Sequence, residues 1–88
     1  MVQIKETVQI LNDIVNCLLG EEESKGYNML VEVVPKLTEI SEYFIKQEGK
    51  NVLIDGLTSV LEGLENKDKW MIADVIKYEI VEVLNKYN

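Results

Sequence analysis

Apolar residues recur every three or four positions along most of this chain, and the recurrence falls into four segments. That spacing places them on one face of an α-helix, which turns once in about 3.6 residues. The first segment predicts a helix from Val2 to Leu19. Its stripe is Ile4, Val8, Leu11, Val15 and Leu18, widened by Ile10, Ile14 and Cys17, with Lys5, Glu6, Gln9, Asn12, Asp13 and Asn16 opposite. An apolar sector of roughly half the circumference suits a helix that touches two neighbours, or one at an oligomer interface. Gly20 then offers the left-handed residue that ends helices at little steric cost.

Glu21, Glu22 and Glu23 lie at the entrance of the second segment, where carboxylates favour the positive end of a helix dipole. Ser24 is the expected N-cap. From Gly26 to Gln47, Met29, Leu30, Val33, Val34, Leu37, Ile40, Phe44 and Ile45 share a face, and Gly49 closes the helix. Pro35 lacks an amide donor and clashes with the carbonyl four residues back. The apolar phase is nevertheless the same on both sides of it, and the proline falls on the polar side. One bent helix is therefore expected, wrapped around a core.

Asn51 is the expected cap of a third helix ending near Glu65, with Leu53, Leu57, Val60, Leu61 and Leu64 on its apolar face. Beside them runs a stripe of small residues, Gly56, Ser59 and Gly63. Two glycines inside a helix cost roughly 1 kcal/mol each against alanine. Either they admit a close approach by another backbone or they are simply tolerated. Asn66-Lys67-Asp68 makes a tight connection, and Asp68 caps a last helix from Lys69 to Tyr87. There Ile72, Ala73, Ile76, Ile80, Val83, Leu84 and Tyr87 form the stripe, while Trp70, Met71, Val75, Tyr78 and Val81 fall outside it.

Four amphipathic helices joined by short connections predict an all-α, antiparallel up-and-down four-helix bundle with a Pro-kinked second helix. It forms a single domain over residues 1–88. The expected core is Leu11, Val15, Leu30, Leu37, Phe44, Leu57, Leu61, Ile76, Ile80 and Leu84.

Composition narrows what such a bundle does. Nine lysines against sixteen acids give a net charge of −7, which disfavours nucleic acid and anionic membrane. With no arginine, bidentate phosphate recognition is missing too. The lack of histidine removes the usual general base and imidazole ligand, so no metal site and no di-metal Glu-x-x-His pairs are expected. Cys17 is the single cysteine, on the apolar margin of the first helix without a basic neighbour, and reads as an inert, buried thiol. A lone cysteine, no signal-peptide pattern and no bilayer-length apolar run point to the cytoplasm. No Gly-rich phosphate loop or nucleophile elbow is present, so no cofactor and no catalysis are expected. Acyl carrier proteins match in size and charge but carry Asp-Ser-Leu at their prosthetic serine. Here Ser24, Ser41 and Ser59 all lack that context.

The run Leu64-Glu65-Asn66-Lys67-Asp68 followed by Ala73-Asp74-Val75-Ile76-Lys77-Tyr78-Glu79 does have a counterpart. Over residues 64–80 the chain resembles a family of small, acidic, uncharacterised helical proteins from Gram-positive spore-forming bacteria. The family's pattern is a Leu-Glu-Asn-x-Asp turn and an Ala-Asp-x-x-x-Tyr-Glu helix, and Pro35 departs from it. The resemblance implies an all-helical fold and carries no catalytic residues across. Function is then sought on the face a bundle leaves over. Trp70, Asp74, Tyr78 and Val81 gather on the outer side of the last helix with Lys77 between. Trp70 either packs under the preceding connection or belongs, with Tyr78, to an interface, where both residue types are enriched. These residues predict an interaction module, acting as a homodimer or as an acidic adaptor or chaperone for a helical or basic protein. A bundle binding a small molecule, or a carrier-type bundle, is the alternative.

Overall fold

The computed structural model describes the backbone of residues 4–43 and 49–86 and the side chains of 4–42 and 52–86. The described chain is all-helical. Helix α1 spans Ile4–Leu19, α2 spans Glu23–Tyr43 and α3 spans Gly49–Asn66. A fourth helix, α4, covers 69–86, with an α stretch Lys69–Val75, a π stretch Ile76–Ile80 and a closing α stretch Val81–Lys86. Helix α1 packs on α2, α2 on α3, α3 on α4, and α4 back on α1, while the backbones of the diagonal pairs α1–α3 and α2–α4 stay apart among the described residues, although the side chains of Glu23 in α2 and Lys69 in α4 reach each other. The wide apolar sector of α1 is thus used on two neighbours.

The core lies along the centre of this ring. Leu11, Ile14 and Leu18 meet Leu30, Leu37 and Ile40 from α2, Leu53 and Val60 from α3, and Ile72, Ile76, Ile80 and Leu84 from α4, all fully buried. Each such side chain contributes about 1.5–3 kcal/mol of hydrophobic stabilisation. Of the expected core, Val15 and Leu57 are also buried, and Phe44 lies outside the described residues. Leu61 is a correction, since it is 49% exposed. Leu53, Leu57 and Val60 hold the core stripe of α3, and the residue after Val60 turns about 100° away from it. Two polar side chains are buried without having been anticipated, Thr7 and Ser41. Ser41 donates to the Thr38 carbonyl at 2.6 Å, a local bond that lets a serine sit at a buried helical position.

Helix α2 runs unbroken through Pro35, which is exposed. Its start and that of α3 differ from expectation. The Gly26 amide donates to the Glu22 carbonyl at 3.0 Å, so Glu22 occupies the cap position and Ser24 is already helical. Gly49 opens α3 instead of closing α2, and Asn51 lies within the first turn. Gly20 is not left-handed, because no described glycine has a positive φ. A Cβ there would come 2.8 Å from the Asn16 carbonyl oxygen, so tight closure, not backbone handedness, suits glycine to that position.

Val75 is the second correction to the core. It is buried although a uniform 3.6-residue pitch puts it off the stripe. In the π stretch the Val81 amide donates to the Ile76 carbonyl, five residues back. The wider turn brings residues five apart onto one side. Val75 and Ile80 both reach the notch at Gly56, where a Cβ would lie 3.8 Å from Val75 Cγ1 and 2.8 Å from Ile80 Cγ1.

Candidate interaction face

The first turn of α4 is set by its connection to α3. Lys67 is left-handed, with φ 53°. Its amide donates to the Leu64 carbonyl at 3.2 Å, and the Asp68 amide donates to the Gly63 carbonyl at 2.9 Å. These paired bonds close α3 in a Schellman arrangement. Asp68 then caps α4 as expected, its carboxylate accepting from the Met71 amide at 3.1 Å. One residue thus finishes one helix and starts the next. With Ile72 and Ala73 fixed in the core, the register turns Trp70 outward.

Trp70 is 64% exposed and Tyr78 66% exposed, so Trp70 is not covered by the connection. Asp74 and Lys77 are exposed beside them. Val81 is half-buried and packs against the core; it belongs to the rim. A lysine ammonium stands over each aromatic ring, Lys69 over Trp70 and Lys77 over Tyr78, both 5.7 Å from the ring centre. Lys69 also reaches Glu23 at 3.7 Å, bringing the start of α2 beside Trp70. Such exposed contacts contribute at most about 1 kcal/mol each and mainly orient the side chains. Tyr78 shares a shallow hollow of about 240 Å³ with Val52, Glu79, Glu82, Val83 and Lys86.

Behind this face lies the small-residue stripe. A Cβ on Gly63 would come 2.6 Å from Ile72 Cγ1, as one on Gly56 would crowd Ile80. Ser59, between them, is half-buried.

A second hollow, of about 480 Å³, lies between the start of α2 and the end of α3, lined by Glu23, Ser24, Tyr27, Asn28, Leu64 and Lys67. The apolar periodicity does not single out Tyr27. Its hydroxyl oxygen is buried with no hydrogen-bond partner among the described residues. Burial, with the nearby Glu23 and Asp68 carboxylates, pushes its pKa above the usual tyrosine value. The signal available was its place one turn before Leu30 and Val31, on the flank of the apolar face.

Cys17 is half-buried and unpaired by disulfide. Among the described residues, no group of three or more His, Cys, Asp or Glu side chains is arranged to hold a metal ion, and no helix is long and apolar enough to cross a membrane. Comparison with protein-family models, curated proteins and solved structures gives no match.

Proposed function

We propose that this protein is a non-catalytic, cytoplasmic interaction module that engages a protein partner, or a second copy of itself, through the outer face of α4. The observation that carries the reading is the exposure of Trp70 and Tyr78 on one helix. Large aromatics left in water cost free energy, and they are the residues most often found as interface anchors. Replacing both by alanine is expected to abolish assembly or partner capture while the circular dichroism of the bundle is unchanged. If capture and assembly persist in the folded double variant, the reading is wrong.

The same proposal includes the finer architecture, an antiparallel up-and-down bundle. Its support is the pairing of Gly56 with Ile80 and Gly63 with Ile72, in which numbers rise along α3 as they fall along α4. The two-residue connection at Lys67-Asp68 is of the length that joins antiparallel neighbours. A bend of α2 away from Pro35 belongs here too. The proline is exposed, so Pro35→Ala regains an amide donor and is expected to fold. Membership of residues 64–80 in the spore-former family is part of the same proposal, supported by the Leu64-Glu65-Asn66-Lys67-Asp68 turn and the Ala73-Asp74 to Tyr78-Glu79 stretch.

The hollow at Tyr27 favours one alternative, a small-ligand site whose occupant accepts from the unpartnered hydroxyl. Strong thermal stabilisation by a compound, lost in Tyr27→Phe, would establish it.

A further inference from the structure

Resting on that interaction reading, we propose that the occupant of the α4 face is a second copy of this chain, docked α4 against α4 in opposite directions, with each Trp70 on the Tyr78 of the other copy. A two-fold interface presents the same patch twice, so the patch must complement itself. The chain as a whole is strongly acidic, but α4 is not. Over residues 69–86, Lys69, Lys77 and Lys86 balance Asp74, Glu79 and Glu82. The acidic excess lies elsewhere, with nine acids and four lysines in residues 1–48. A basic partner would find its complement on that half, whereas a second copy finds it on α4.

The register follows from the aromatics. Setting Trp70 against Tyr78 of the second copy makes the helices cross near Asp74. Asp74 then lies within a turn of the other copy's Lys77, and Lys69 beside the other copy's Glu79. Each of these opposite-charge pairs occurs twice by symmetry, and they flank the two Asp74 carboxylates, which the same register brings together at the axis. Trp and Tyr side chains bury about 150–250 Å² each when fully covered. At about two-thirds exposure, the pair supplies of order 200–300 Å² per protomer. Val52, joined to Tyr78 in the shallow hollow and 44% exposed, and the lysine stems extend this towards the roughly 500 Å² per partner at the lower limit of specific interfaces.

Sedimentation equilibrium from low micromolar to millimolar concentration tests the proposal on the full chain, with circular dichroism checking that each variant folds. A reversible monomer–dimer equilibrium is expected, weakened at least tenfold by Trp70→Ala and by Tyr78→Ala. Lys77→Glu and Asp74→Lys should each weaken it, and the double exchange Asp74→Lys with Lys77→Glu should restore it. A dimer indifferent to the aromatic substitutions, or one the double exchange does not rescue, overturns the proposal. So does a monomer at every concentration. The single tryptophan then separates the two readings. A monomer whose Trp70 emission shifts with an amphipathic helical peptide of balanced charge removes the second copy but keeps the interaction module. A monomer with no shift removes both.

Discussion

The pairs α1–α2 and α3–α4 are built alike on the inside and unlike on the outside. In each, a buried glycine admits a branched side chain of the adjoining helix: Gly26 against Leu18 in one, Gly56 against Ile80 and Gly63 against Ile72 in the other. The outer surfaces diverge. Residues 1–48 carry net charge −5, residues 49–88 only −2. Among the described residues, the large apolar side chains left exposed are Leu19 and Val31 in the first pair and Val52, Ile54, Leu61, Trp70 and Tyr78 in the second. Interior packing specifies the bundle, and it leaves the outside free to differ. The less charged, more apolar outer side is where a partner gains most from excluding water.

The likeness between the pairs can be broken at four levels. Truncating the residue that fills a notch has the largest effect. Ile80→Ala and Leu18→Ala should each cost about 2–5 kcal/mol in chemical denaturation, because both side chains are fully buried. Filling the notch comes next. Gly63→Ala sets a methyl 2.6 Å from Ile72 Cγ1 and should cost about 1–3 kcal/mol by overpacking, partly recovered by Ile72→Val. At Gly26 the nearest atoms, two of the Leu18 side chain and its backbone nitrogen, stand at 3.0 Å, a looser contact than at Gly63 that the alanine helix preference of about 1 kcal/mol partly offsets. Gly26→Ala is therefore expected to be milder, and equal costs at both glycines would erase the distinction.

The connections differ as well. Asp68→Ala should lose about 1 kcal/mol with the cap, whereas Lys67→Gly should gain about 1 kcal/mol by relieving a left-handed lysine. Thermal melts of the two variants should move in opposite directions. The smallest effect belongs to Tyr27. Its hydroxyl satisfies no partner among the described residues, so Tyr27→Phe should change neutral-pH stability by less than about 1 kcal/mol. Its folded pKa is raised, so above the ordinary tyrosine value the unfolded chain releases the proton first and stability falls as pH rises. That alkaline loss should be shallower in Tyr27→Phe.

Much of this was readable before any coordinates. Periodicity located all four helices, and Asp68 was recognisable as a cap because an acceptor stood just before an apolar run. The errors have local causes. Leu61 follows Val60 in a run of apolar residues, and composition alone does not say which of two neighbours turns inward. A constant pitch puts Val75 off the stripe, and the widened turn at Ile76–Ile80 is not visible in the apolar spacing. Ser24 has the side chain of an N-cap, yet the first backbone bond, from the Gly26 amide to the Glu22 carbonyl, decides where the helix begins. At the candidate site, Trp70, Asp74, Lys77 and Tyr78 were placed outside correctly, while Val81 leans inward. What distinguishes Tyr27 is a buried hydroxyl with no partner among the described residues, which only the packing around it reveals.

The two-residue connection at Lys67-Asp68 bears on the order in which the chain folds. Closing so short a loop forfeits little chain entropy, and Gly63 meets Ile72 only nine residues away. The contact of α1 with α4 instead joins the two ends of the chain. Folding is expected to nucleate at the α3–α4 junction and to finish when α1 closes on α4. Substitutions at Ile72 should then slow folding, those at Leu11 should mainly hasten unfolding, and a chevron analysis showing the reverse would refute this order.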